Sequence, residues 1–139
     1  MFSDCYLLFV ANNRFDTMVI FGDSISDTGN LYRFMWNKLP ISPPYYQGRF
    51  SNGPLWIEQL YSSYSPQDYV DGFQNYAVGG TGAVFSYKQN LPFTFGREVS
   101  DYLYWNTYGK KATTLYTIWI GANNYLNGPT NIESIIYCL

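Results

Sequence analysis

Three short apolar, β-prone runs in this chain each stop at a glycine followed by small polar residues. They are Thr17 to Phe21 (TMVIF) before Gly22, Asn75 to Val78 (NYAV) before Gly79 and Gly80, and Leu115 to Ile120 (LYTIWI) before Gly121. Short apolar runs of this kind fit strands covered on both faces, as in parallel sheets. Two helical stretches lie between them. Asn52 is placed to cap a helix with Pro54 in its first turn and Leu55, Trp56, Ile57, Leu60 and Tyr61 on its apolar side. A second helix is predicted from Arg97 to Tyr108, with Val99, Tyr102 and Leu103 at i, i+3 and i+4 and Gly109 as its stop. The stretch from Leu39 to Gly53 is too rich in Pro, Gly and Ser for either element and reads as a long ordered loop. Strands alternating with helices predict an α/β fold with a parallel sheet covered on both faces. Ligands bind such sheets beyond the carboxyl ends of the strands. The three glycine-ended runs therefore bring Gly22 to Ser24, Gly79 to Thr81 and Gly121 to Asn124 to one edge.

At 139 residues the chain is sized for one domain. Residues 1–15 read as a signal-peptide remnant or a disordered arm, and 16–139 as the folded unit. The arm holds a short apolar run, Cys5 to Ala11, but Asp4 precedes it and no basic residue does. No apolar run approaches the roughly 20 residues needed to span a bilayer. The net charge is -2 and the basic residues are scattered, apart from Lys110 and Lys111, so nucleic acid is not an expected partner. Charged residues make up 13% of the chain, against about 25% in an average soluble domain, while Tyr, Phe and Trp number 15, 10 and 4. That balance suits uncharged ligands or work outside the cytoplasm, and an organism-wide compositional bias accounts for it equally. Cys5 and Cys138 have no metal-like neighbours and read as unrelated thiols; neither a metal nor a cofactor is expected.

Ser24 sits two residues past the glycine that ends the first run, where a serine at the start of a helix is either a cap or a nucleophile lifted into the mouth of the sheet. The surrounding blocks favour the nucleophile. FGDSISDTGN (Phe21 to Asn30), GRFSNGP (Gly48 to Pro54) with Trp56 and Glu58, NYAVGG (Asn75 to Gly80) and IGANNY (Ile120 to Tyr125) together resemble, in order and rough spacing, the blocks of the GDSL (SGNH) lipase and esterase family. The resemblance runs from about residue 16 onward. It implies a flavodoxin-like three-layer sandwich, incomplete here at the C-terminal end, and an acyl-serine mechanism of ester hydrolysis. In that reading Ser24 is the nucleophile, and the oxyanion hole is the backbone N–H of Ser24, the backbone N–H of Gly79 and the side-chain amide of Asn123. An alignment shifted by one residue puts Gly80 in place of Gly79. Attack on an ester carbonyl places negative charge on its oxygen, and each aimed donor supplies roughly 3–4 kcal/mol in a dry site. An ionised aspartate at position 123 would only accept, which is why the chemistry needs an amide there.

Two departures from the family pattern stand out. Asn124 replaces the family's usual Asp, for which a changed loop hydrogen bond is expected. There is also no histidine among the 139 residues. The family's Asp-x-x-His block, which supplies the general base and its orienting carboxylate, is expected to lie beyond Leu139, leaving the chain inactive on its own. Asp23 and Asp27 do not substitute for it. Asp23 is expected to hold its loop through backbone hydrogen bonds, and Asp27 with Asn30 to bond locally within the next turn. The segment from Ser26 to Leu60 looks most like the bacterial phospholipase, lysophospholipase and acyltransferase branch, which implies an acyl lipid substrate and a secreted or periplasmic location. Tyr45, Tyr46 and Phe50 suit an acyl channel, or stacking on sugar rings in a carbohydrate acetylesterase of the same family. An inactive truncated product, or a small binding module, is the remaining alternative.

Overall fold

The computed structural model describes residues 15, 17–64, 72–84, 92–106 and 113–126. The arm at 1–14, both cysteines, Gly109 and the Lys110–Lys111 pair lie outside them. Three strands, β1 (Thr17–Gly22), β2 (Phe73–Asn75) and β3 (Thr114–Trp119), form a parallel sheet in the order β2-β1-β3. β1 is central and pairs with both neighbours, Met18 opposite Phe73 on one side and Leu115 on the other. All six of its residues are buried.

The side chains of β1 alternate between two helices. Met18 and Ile20 join Leu55, Ile57 and Ala77 in the main core, against which Trp56, Leu60, Tyr61, Phe73 and Leu115 pack. These come largely from α2 (Trp56–Tyr64). Phe21 points the other way, its ring meeting Phe95 and Tyr102 of α3 (Phe95–Trp105) edge-on at 5.9 and 5.7 Å. One helix on each face makes the three layers expected of the chain. Burying each of the large aliphatic side chains of the core contributes about 1.5–3 kcal/mol.

Both predicted helices exist with different ends. α2 is capped by Leu55, whose N–H donates to Glu58 Oε2 while its carbonyl accepts from the N–H groups of Glu58 and Gln59. That reciprocal reach of a third-position glutamate displaces the expected Asn52 cap, and Asn52 is exposed. Glu58 also takes Arg49 in a two-point ion pair, Nε to Oε2 at 2.8 Å and Nη2 to Oε1 at 2.5 Å, pinning the long 39–53 loop to the helix. α3 starts two residues early because Thr94 Oγ1 accepts from the Arg97 N–H, and it closes at Asn106 rather than near Tyr108. Its sheet-facing seam is Phe95, Glu98 and Tyr102, whereas Leu103 is 60% exposed.

The second strand differs from expectation as well. The ladder covers Phe73–Asn75, although the N–H groups of Tyr76 and Val78 still donate to the carbonyls of Ile20 and Gly22 at 2.8 and 3.1 Å. It stops because the next rung needs the Gly22 N–H, which donates to Glu98 Oε2 at 2.9 Å instead; on the outer edge the carbonyls of Asn75 and Ala77 are taken by Asn30 Nδ2. β3 ends at Trp119, one residue before the expected Ile120. The helix expected to open at Ser24 begins only at Asn30, as the five-residue α1 (Asn30–Phe34), and a second five-residue helix, α4 (Ala122–Leu126), was not anticipated. Among the described residues no helix is long and apolar enough to cross a membrane.

The Arg49–Glu58–Leu55 clip is testable. Glu58→Ala should cost about 1.5–3 kcal/mol of stability, read from the urea midpoint, because it removes charge-assisted hydrogen bonds from a half-buried cap. Glu58→Gln, which keeps an acceptor for Leu55, should cost less.

Candidate active site

The chain leaves β1 toward β2 on one side and returns past β1 to β3 on the other, so the connections diverge at the β1/β3 boundary. This reversal opens a crevice beyond the strand ends. There the backbones come very close: a Cβ on Gly22 would lie 2.6 Å from the Trp119 carbonyl oxygen. Beyond that boundary Ser24, Gly79, Gly80 and Asn123 line a cavity of about 230 Å³, together with Leu31, Leu39 and Phe50. The expected site residues from the three strand ends thus share one concavity. Tyr45 and Tyr46 are not among its lining residues; Phe50 is.

Ser24 does not open a helix. It belongs to a turn closed by the N–H groups of Ser26 and Asp27 donating to the Asp23 carbonyl, and α1 begins only at Asn30. Asp23 Oδ1 accepts from the Ile25 N–H at 3.1 Å, as expected of a residue that holds the loop. Asp27 does more than bond locally. It caps α1 through the N–H groups of Gly29, Asn30 and Leu31, and its Oδ2 also accepts the Gly79 N–H at 2.7 Å. Asn30 likewise reaches across to the carbonyls of Asn75 and Ala77, and Asn75 Nδ2 returns to the Ser26 carbonyl at 2.7 Å.

The bond to Asp27 occupies the Gly79 N–H. Val78, Gly79, Gly80 and Thr81 form a β-turn in which the Thr81 N–H donates to the Val78 carbonyl at 3.0 Å, and Gly80 takes the positive φ, 89°, of the third position. Neither the Gly80 N–H nor the Ser24 N–H donates to another described residue. Gly79 is needed for a different reason: a Cβ there would lie 2.5 Å from Phe50 Cε2 and 2.9 Å from Leu31 Cδ2. Asn123 Nδ2 donates to the Thr81 carbonyl at 2.8 Å, which orients its amide beside the turn. Asn124 is fully buried, and its Oδ1 accepts the Ala83 N–H at 2.6 Å. An amide supplies that acceptor without burying a charge.

Glu98 was not singled out from the sequence. It lies on α3 and is 3% exposed, with Oε2 accepting the Gly22 N–H at 2.9 Å and Oε1 the Val78 N–H at 3.1 Å. Its position in the Phe95–Tyr102 seam, a charge where an apolar residue belongs, was the available signal. Burial pushes its pKa up to about 8, against the pull of the two N–H groups and with the Asp27 charge adding to the rise. Burial also raises Asp27, opposed first by the Gly79 N–H, and raises Asp23 against the Ile25 N–H. Among the described residues no cluster of three His, Cys, Asp or Glu is placed to hold a metal.

A doubly wound parallel α/β unit with its cavity at the switch point is the class that this fold and site define. The chain belongs to the GDSL-like lipase/acylhydrolase family, whose model matches residues 18–134. It is 40% identical over 125 residues to a phosphatidylcholine-sterol acyltransferase of Aeromonas hydrophila, a match covering 86% of this chain and 36% of the relative. It is 32% identical over 127 residues to the thermolabile hemolysin of Vibrio parahaemolyticus, covering 88% of this chain and 28% of that protein. The chain thus spans about a third of the length of these curated relatives.

The buried glutamate sets a pH dependence. A free glutamate releases its proton near 4.5, whereas folded Glu98 holds it to about 8. Between those values the folded chain binds a proton that the unfolded chain has lost, so this group's contribution makes stability fall as pH rises across the window and level off above it. Comparing urea midpoints from pH 5 to 8.5 in the parent and Glu98→Gln isolates the effect; the substitution should flatten that slope.

Proposed function

We propose that the chain carries the nucleophile and oxyanion half of a serine ester hydrolase acting on an acyl lipid. The observation that carries this reading is the single cavity shared by Ser24, the Gly79–Gly80 turn and Asn123. Ser24 Oγ attacks the ester carbonyl, the alcohol leaves, and the acyl-serine passes its acyl group to water or to another alcohol. The donors are the Ser24 N–H, the Gly80 N–H and Asn123 Nδ2. Gly80 takes the place first given to Gly79, whose N–H is engaged by Asp27. Leu31, Leu39 and Phe50 give the cavity an apolar wall suited to an acyl chain, which favours a lipid over a carbohydrate ester. The similarity to an enzyme named for acyl transfer from phosphatidylcholine to sterol points the same way.

Residues 16–139 form one unit of the hydrolase in this reading, preceded by an arm, and the location is secreted or periplasmic. The 139 residues contain no histidine, and this reading takes the imidazole that accepts the serine proton from an Asp-x-x-His segment outside them. The chain alone is then at most weakly active on activated esters. A serine hydrolase lacking one triad member retains about 10³–10⁴-fold catalysis over water through the oxyanion hole and binding.

The test joins the chain to a segment carrying Asp-x-x-His and follows the release of fatty acid from a phospholipid. Turnover should appear, Ser24→Ala should abolish it, and Asn123→Ala should lower kcat by about 10²–10³-fold. Unchanged turnover in Ser24→Ala would refute the nucleophile assignment.

A further inference from the structure

The two backbone donors of the cavity belong to different segments. Ser24 follows β1, and Gly80 follows β2. The last backbone bond between these segments runs from the Val78 N–H to the Gly22 carbonyl, before either donor is reached. At that bond and beyond it the segments are also held by side chains, and two buried acidic groups, Glu98 at the bond and Asp27 beyond it, each join one segment to the other. Asp27 takes the N–H groups of Gly29, Asn30 and Leu31 on the first segment and of Gly79 on the second. Glu98 takes the N–H of Gly22 on the first and of Val78 on the second.

We propose that Asp27 and Glu98 are positioning residues for the oxyanion site, which they serve by clamping the Ser24 turn to the Gly80 turn from its two sides. The proposal rests on the hydrolase reading of the cavity and deepens it. Of the three consecutive N–H groups of Val78, Gly79 and Gly80, the first is shared between the Gly22 carbonyl and Glu98 and the second is taken by Asp27, which leaves the third for the cavity. Two adjacent glycines are otherwise free to adopt many backbone conformations, so an unclamped turn would not hold its donor at a fixed distance from Ser24. A displacement of 1 Å at such a site costs on the order of 10²-fold in rate. Neither carboxylate lines the 230 Å³ cavity, so neither is a catalytic residue; each acts through the backbone it holds.

Asp27→Asn separates this role from local structure. The amide oxygen in the place of Oδ1 still accepts from Gly29 and Asn30 at the start of α1, since asparagine is a good cap, but Nδ2 in the place of Oδ2 then faces the N–H groups of Gly79 and Leu31, donor against donor. The experiment uses the whole 139-residue chain and p-nitrophenyl acetate. Ser24 Oγ bonds to the acetyl carbon, the bond from that carbon to the phenolate oxygen breaks, p-nitrophenolate leaves with the electron pair, and the serine proton passes to water. Acetyl-Ser24 is followed by mass spectrometry of the peptide that contains it, and amide proton resonances are followed by ¹⁵N-correlated NMR. Asp27→Asn should move the Gly79 and Leu31 amides upfield, leave the Gly29 and Asn30 amides nearly in place, and slow acetylation about 10- to 100-fold. Glu98→Gln, which keeps one acceptor, should shift the Gly22 or Val78 amide and slow acetylation less; it carries the test if Asp27→Asn fails to fold. Acetylation at the parent rate in a variant whose clamped amide has moved overturns the positioning role alone. An unmoved Gly79 amide in Asp27→Asn overturns the clamp itself. A chain that is acetylated equally at that peptide after Ser24→Ala overturns the hydrolase reading, and the positioning role falls with it.

Discussion

β1 is hydrogen-bonded along both edges and covered on both faces, and the other described strands and the two long helices take their places from it. Its pairing with β2 and β3 puts three chain ends at one edge of the sheet. The alternation of its side chains sends α2 to one face and α3 to the other. The reversal of direction at β1 then makes the crevice, so the cavity follows from strand order rather than from any residue that lines it.

Above the strands the organising force changes. The loops that shape the cavity contain few backbone-to-backbone bonds between segments, and their peptide groups are satisfied by Asp27, Asn30, Asn75, Glu98, Asn123 and Asn124 instead. Burying carboxylates is costly, and the raised pKa values of Asp23, Asp27 and Glu98 reflect that cost. Multiple N–H donors per carboxylate offset it at Asp27 and Glu98. Polar side chains of this kind fix a geometry that apolar packing would leave loose, because each bond has a direction as well as a distance.

Much of this was legible in the sequence, and the remainder was hidden for identifiable reasons. Apolar runs ending at glycine marked β1, β3 to within a residue, and the shared edge, whereas the second run met β2 only at Asn75; burial on both faces belongs to β1 alone, and β2 and β3 leave one side open. Helix ends were harder. Asn52 was a plausible cap on residue type, but Glu58 satisfied the same backbone group from inside the helix, and Thr94 opened α3 before the apolar periodicity began. Distant hydrogen bonds leave no local pattern at all: Asp27 and Asn30 read as turn residues, and nothing near Gly79 announced that its N–H would be taken from 52 positions away. Glu98 looked like an ordinary helical glutamate because its partners are peptide groups, which every residue carries.

The close approach at Gly22 bears on how such a site can diversify. The atom that a side chain there would strike is a main-chain oxygen, which has no rotamer to escape into. Even a single methyl group would have to pry β1 from β3, carrying Ser24 away from Asn123. The width of the crevice is therefore locked by missing atoms, while its rim, where Leu39 and Phe50 stand on the long loop, can be rebuilt without moving the strands. In the proposed hydrolase reading, changes in the acyl group accepted are open to variation in that loop, and the spacing of Ser24 from Asn123 is not.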